Sequence, residues 1–258
     1  MNTIKLEVNG AVATITLNRP EVFNAFNDEM SYELQDALKQ VTKNAQVRAV
    51  ILTGEGKAFC SGQDLKAIKD NKNRKLSDSL HKRYNPIIRA IRNIPKPVIC
   101  RLNGVGAGAG CSLALASDVV IAAEEASLIE VFINVGLVLD SGSSYFLPRL
   151  VGPQKAFELA TRGTKVTAQQ ALDMGLVNKV VPMAELDAAV DEAAGFYANA
   201  PTKAVGLIKK MIERSLHSDL EAMLEYEAYC QEIAGDSADY REGVAAFNEK
   251  RKPQFTGN

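Results

Sequence analysis

Two glycine-rich turns and a few carboxylates hold the chemistry available to this chain. Asn103 to Asp118 reads NGVGAGAGCSLALASD, with glycines at 104, 106, 108 and 110 alternating with small residues. Glycine permits positive φ and close backbone approach, so such a turn can aim main-chain N–H groups at a ligand. The first N–H groups of a following helix have no internal partner, and the helix dipole makes that end partly positive. The segment predicts an anion or oxyanion site, with tight helix packing through small residues as an equal alternative. Its glycines do not match G-x-G-x-x-G, and no G-x-x-x-x-G-K-[ST] occurs, so a nucleotide loop is not indicated. A second bend lies in KAFCSGQDLKAI, residues 57–68, with Gly62 at the turn and Asp64 suited to a helix start. His81 and His217 lie apart from both turns and are expected at the surface. Cys60, Cys100, Cys111 and Cys230 show no C-x-x-C spacing, which predicts neither disulfide nor zinc site.

The elements that must position these groups follow from periodicity. Residues 4–8 and 12–17 alternate as strands around Asn9-Gly10, a hairpin signal. Asn27 is placed to cap a helix carrying Met30, Leu34, Leu38 and Val41 on one face. Residues 49–53, 97–102 and 119–123 read as short buried strands, and a strand–turn–helix unit recurs along them. Residues 127–132 (SLIEVF) predict a strand with Leu128, Glu130 and Phe132 on one side. Thr167 opens a capping box with Gln170, ahead of a strand over 177–181. The basic run from Lys66 to Lys96, including Lys69, Lys72, Arg74, Arg83 and Arg92 against only Asp70 and Asp78, predicts a mainly solvated helix face. From Glu185 to about residue 250 the period is helical, with breaks near Pro201, His217 and Gly235.

The chain has 258 residues, 47% hydrophobic and 24% charged, with a net charge of −1. That is enough for a substantial core, and the charge offers no argument for nucleic acid or a membrane surface as partner. No apolar run approaches the ~20 residues of a membrane span. MNTIKLEVNG lacks the basic and apolar regions of a signal peptide, so a reducing, cytoplasmic setting is expected.

KAFCSGQDL, KPVICRLNGVGAGAGCSLALASD, GLVLDSGSSYFLPRLVG and the terminal FNEKRKPQFTG, in this order and spacing, closely resemble the crotonase (enoyl-CoA hydratase/isomerase) superfamily. The resemblance implies an α/β fold: a ββα spiral core, assigned to residues 1–195, and a C-terminal all-helical segment, 196–258, that assembles homotrimers or dimers of trimers. It implies an acyl-CoA thioester as ligand, with coenzyme A entering as part of the substrate and no other cofactor or metal. The family's oxyanion donors fall on the backbone N–H groups of Gln63 and Ala109. CoA contacts fall on Ala58, Cys60, Gly62 and Asp64, with Gly110 beside the thioester turn. Phe247 and Lys250 match residues that cover the adenine and phosphate, often across a subunit boundary.

The departures from the family pattern are as informative. Where hydratases carry two glutamates, this chain has Ser112 and Phe132, and neither can do that acid–base work. Asp140 matches the carboxylate of isomerase-like members, notably those of phenylacetate catabolism, and Leu139 replaces a common proline. Without the resemblance, Asp140 reads rather as the N-cap of a helix starting at Ser141, and the motif is what tips it to catalytic. The resemblance thus implies an isomerase with Asp140 as proton shuttle. A hydratase (lyase) of the same superfamily, or an acyl-CoA binder without turnover, is the alternative, and Glu130 is the residue that would support hydration.

Overall fold

The computed structural model describes residues 1–68 and 75–258. Lys69, Asp70, Lys72 and Arg74 of the basic run lie outside the described residues. Alternating apolar residues make β1 (Ile4–Asn9) and β2 (Val12–Leu17) an antiparallel hairpin. β2 then pairs in parallel with β3 (Ala49–Gly54), β3 with β5 (Val98–Leu102), β5 with β7 (Val119–Ala123), and β7 with β10 (Lys179–Val181). A smaller sheet holds β4 (Ala58–Cys60), β6 (Val105–Ala107), β8 (Ser127–Ile129) and β9 (Val166–Thr167), in that order.

This topology corrects the strand–turn–helix unit. Each turn of the chain lays one strand in the large sheet and a second in the small one (β3 then β4, β5 then β6, β7 then β8). The unit is therefore ββα, and part of the glycine-rich turn, Val105–Ala107, is itself a strand. Small residues are what let it pair there: a Cβ on Gly104 would lie 2.1 Å from the Lys57 carbonyl oxygen.

The helices are α1 (Asp28–Lys43), α2 (Leu65–Ile68), α3 (Leu76–Ser79), α4 (Asn85–Asn93), α5 (Ala109–Leu115), α6 (Ser143–Val151), α7 (Pro153–Arg162) and α8 (Ala168–Asp173). They are followed by α9 (Leu186–Ala198), α10 (Thr202–Ser215), α11 (Leu220–Gly235) and α12 (Ala238–Glu249). Asn27 caps α1 as expected, its Oδ1 accepting from Met30 N at 2.8 Å. The α1 stripe Met30, Leu34, Leu38 and Val41 is buried, each side chain contributing on the order of 1.5–3 kcal/mol. The Thr167–Gln170 capping box also forms. α9 lies across β3, β5 and β7, and the helical segment continues through α10 to α12.

One further expectation fails and another holds only in part, each for an identifiable reason. The strand over 127–132 stops at Ile129, because β8 has partners only that far, and Val131–Val135 forms a 3-10 turn. Glu130 and Phe132 therefore do not share a strand face. The basic run is mainly exposed among the described residues, at Lys66, Lys75, Lys82 and Arg89, but not wholly so. Arg83 turns inward to Asp28 at 2.6 Å, and Arg92 bridges Asp118 and Glu213 at 3.2 and 2.7 Å. Lys96 is buried, its Nζ donating to the Val41 and Asn44 carbonyls that end α1, at 2.6 and 2.7 Å. A buried cation persists where it is bonded in this way, a condition charge density along the chain does not report.

Candidate active site

The two glycine turns meet. Residues 62–64 are pinned to Phe26: Phe26 N donates to Gly62 O at 2.7 Å, and Asp64 N donates to Phe26 O at 2.9 Å. This leaves Gln63 N–H between them, engaged by no backbone acceptor among the described residues. Ala109 N–H, at the start of α5, is likewise unengaged. Gly62 has φ +92°, and a Cβ there would lie 2.8 Å from Ala107 O and 3.6 Å from Ala109 N. The two turns are thus close enough for Gln63 N–H and Ala109 N–H to border one cavity. Paired, preorganised donors of this kind stabilise an oxyanion as it forms.

That cavity, of about 320 Å³, is mostly apolar, walled by Leu65, Leu80, Phe132, Val135 and Leu137. Asp140 stands on its wall. Burial raises the Asp140 carboxyl above its ordinary value, while a hydrogen bond from Ser141 Oγ to Oδ1, 2.7 Å, opposes the rise. A carboxylate made more basic in a dry cavity is suited to taking and returning a proton. The expectation that Asp140 caps a helix is not met. α6 begins at Ser143, its N-cap is Gly142, and no side chain caps it. Asp140 instead offers its main-chain carbonyl to Ser143 N at 2.9 Å, leaving the carboxyl to the cavity.

The remaining predicted residues distribute unevenly. Gly62, Gln63, Ala109 and Asp140 border the cavity. Gly110 packs its α-carbon against β4, and Ala58 and Cys60 are buried within that strand. Burial pushes the Cys60 thiol up to about 12, so it stays a neutral packing group. Asp64 pairs with Arg19 at 3.0 Å and accepts from Lys66 N at 3.1 Å, as suits the residue before a helix. Phe247, 84% exposed, and Lys250, just past α12, lie outside this cavity within the single chain. His81 is exposed as expected, and exposed His217 bonds Tyr145 OH at 2.7 Å.

Sequence reasoning missed two contributors. Tyr84 lines the cavity and donates its hydroxyl to Gln63 Oε1 at 2.5 Å, while Gln63 Nε2 donates to Phe26 O at 2.7 Å. These bonds clamp Gln63, whose N–H borders the cavity. Nothing in the local pattern around Tyr84 signals this, since it depends on a contact 21 residues away in the chain. The second is a buried cluster of Ser112, Ser143, Cys111 and Glu130 behind Asp140. Its signal was present: one carboxyl inside the apolar run LIEVF must be either paired or neutral.

Residues 7–258 match the enoyl-CoA hydratase/isomerase family model. The chain is 44% identical to the 1,2-epoxyphenylacetyl-CoA isomerase of Escherichia coli strain K12, covering all of this chain and 99% of that protein. It is 43% identical to a Rhodobacter capsulatus protein named as a probable enoyl-CoA hydratase, covering 99% of this chain and 98% of that one. The crystal structure of an enoyl-CoA hydratase from Bacillus anthracis superposes with a TM-score of 0.93 at 34% identity, covering 99% of this chain and 100% of that chain. Two unengaged N–H groups bordering one carboxyl-bearing apolar cavity and these whole-length likenesses agree: the chain belongs to the enoyl-CoA hydratase/isomerase family.

Proposed function

We propose that this protein is an isomerase of CoA thioesters, with Asp140 as the proton carrier. The observation that carries the reading is that Asp140 is the one carboxyl on the cavity wall among the described residues, in the cavity that Gln63 N–H and Ala109 N–H also border. In a 3-enoyl thioester, Asp140 takes a proton from the carbon next to the carbonyl. The electron pair delocalises to the thioester oxygen, and the two N–H groups hold the resulting dienolate. The proton returns two carbons along, the double bond shifts, and no atom is gained or lost. The E. coli relative's name supports a ring-epoxide thioester as a second substrate class within the same reading. Coenzyme A enters with the substrate, and no cofactor or metal takes part.

Two features weigh against hydration. Ser112 is fully buried, and Phe132 makes one wall apolar, so neither position supplies a second acid–base group in the cavity. Water is not a reactant in isomerisation, and an apolar cavity excludes it. The reading extends to self-assembly into trimers or dimers of trimers. Ile208, Ile212 and Leu216 of the α10 region and Leu220 and Leu224 of α11 remain exposed on the single chain, as a face buried between copies would.

The test is a panel of acyl-CoAs, linear 3-enoyl and ring-derived, with products read by mass. Isomerisation leaves mass unchanged, whereas hydration adds water. Asp140→Asn keeps size and still accepts from Ser141, so folding and acyl-CoA binding are expected to persist. Positioned acid–base groups contribute ~10²–10⁴-fold, and isomerisation should fall by at least the lower figure. Fast water addition by the wild type, or full isomerisation by folded Asp140→Asn, would defeat the reading.

A further inference from the structure

Behind Asp140 lies a chain of hydroxyls that the proposed reaction does not use directly. Glu130 is 3% exposed. Its Oε1 lies 2.8 Å from Ser143 Oγ and 3.4 Å from Cys111 Sγ. Ser143 Oγ lies 2.7 Å from Ser112 Oγ, and Ser112 Oγ lies 3.2 Å from the main-chain oxygen of Asp140 and 3.2 Å from that of Gly108. The carbonyl reached in this way heads a strained turn, since Ser141 has φ +50° without being glycine.

Each serine hydroxyl has a single proton to donate, so the ends of the chain decide its direction. If Glu130 is ionised, Ser143 must donate to it and Ser112 must donate to Ser143. No hydroxyl proton is then left for the Asp140 carbonyl, which keeps its bond from Ser143 N–H. If Glu130 is protonated on Oε1, it donates to Ser143, Ser143 donates to Ser112, and the Ser112 proton is released to the Asp140 carbonyl, which shares it with the Gly108 carbonyl at the same 3.2 Å. The second arrangement also suits Oε2, which is buried without a hydrogen-bond partner among the described residues. A neutral carbonyl oxygen tolerates that position far better than half of a carboxylate.

We propose that Glu130 is a positioning residue for Asp140: protonated, it directs the Ser143–Ser112 chain onto the Asp140 main chain, and ionised, it reverses the chain and takes the hydroxyl bond away from that carbonyl, leaving it the Ser143 N–H alone. The proposal rests on Asp140 being the proton carrier. Burial first, and the Asp140 charge in addition, push the Glu130 carboxyl up to about 7, against the pull of Ser143 and Cys111. Burial raises the Asp140 carboxyl as well, and its negative charge opposes ionisation of Glu130. The other titratable neighbours, Cys111 and, behind it, Cys100, are held neutral by burial.

The experiment compares kcat against pH for the full-length wild type and Glu130→Gln. A glutamine can donate an amide N–H to Ser143 at every pH, which locks the chain toward Asp140. The wild type is expected to lose kcat as pH rises past neutrality, and Glu130→Gln to lose that alkaline fall. Ser112→Ala, which cuts the chain, should lower kcat with KM little changed. Infrared spectra without substrate give a readout independent of turnover. The wild type should show the carbonyl band of a protonated carboxyl that titrates near neutrality and is absent in Glu130→Gln. In Asp140→Asn the same band should vanish at lower pH, because the neighbouring charge is gone. An unchanged alkaline fall in folded Glu130→Gln, or no such band in the wild type below neutrality, overturns the proposal. Full activity in Asp140→Asn with the infrared pattern intact would instead fail the proton-carrier reading.

Discussion

Gly110→Ala tests how closely the donor pair depends on the packing beneath it. Gly110 is buried in the first turn of α5, and its φ is not positive, so the backbone itself accepts an alanine. Space does not. The added Cβ would sit 2.2 Å from Cys60 O and 2.8 Å from Cys60 C and Cβ, backbone and side chain of β4. Reaching an ordinary contact requires α5 and β4 to separate by roughly 1 Å, and overpacking of this kind typically costs about 1–3 kcal/mol of stability. Ala109 precedes Gly110 and moves with α5, while Gln63 follows Cys60 by three residues and stays with β4. The gap between the two N–H groups therefore widens, and a hydrogen bond lengthened by about 1 Å is effectively lost. Loss of one oxyanion donor costs about 2.7–4 kcal/mol of barrier, or ~10²–10³ in kcat. KM should rise far less, because the enolate charge exists only during reaction. The assay is steady-state isomerisation per folded molecule, with thermal unfolding by circular dichroism as the check on folding. A folded Gly110→Ala protein with wild-type kcat would refute the coupling of α5 packing to the donor pair.

Glu130 also predicts a pH-dependent stability. Its carboxyl is raised from 4.5 in the ordinary state to about 7 in the fold, so between these values the native state holds a proton that the unfolded chain has released. Stability from this group is full below about pH 4.5 and falls as pH rises through 7, by about 3 kcal/mol in all. Denaturant unfolding at pH 5 and pH 8 should show that slope in the wild type and a reduced one in Glu130→Gln; equal slopes would contradict it. Sedimentation at micromolar concentration should show trimers or larger species, and a stable monomer would count against assembly through the α10–α11 face.

Much of the framework was legible along the chain because it depends on local periodicity and caps. The β1–β2 hairpin, the Asn27 cap with the α1 stripe, the Thr167–Gln170 box and the breaks among the C-terminal helices are all set by residues within a few positions of one another. The glycine turns announced main-chain donors because only glycine leaves room for such backbone approaches. Tertiary structure alone decided what those donors face. Short apolar stretches do not state their partners, so the second strand in each unit and the end of β8 at Ile129 emerged only from pairing. Asp140 was an acceptable helix cap in sequence, and became a cavity carboxyl because the turn through Ser141 starts α6 two residues later than expected, at Ser143. Glu130 read as one face of a strand, yet it folds back onto Ser143 and Cys111, contacts 13 and 19 residues distant. Proton affinity depends on burial and on charges brought close by folding, and neither is encoded in a residue's neighbours along the chain.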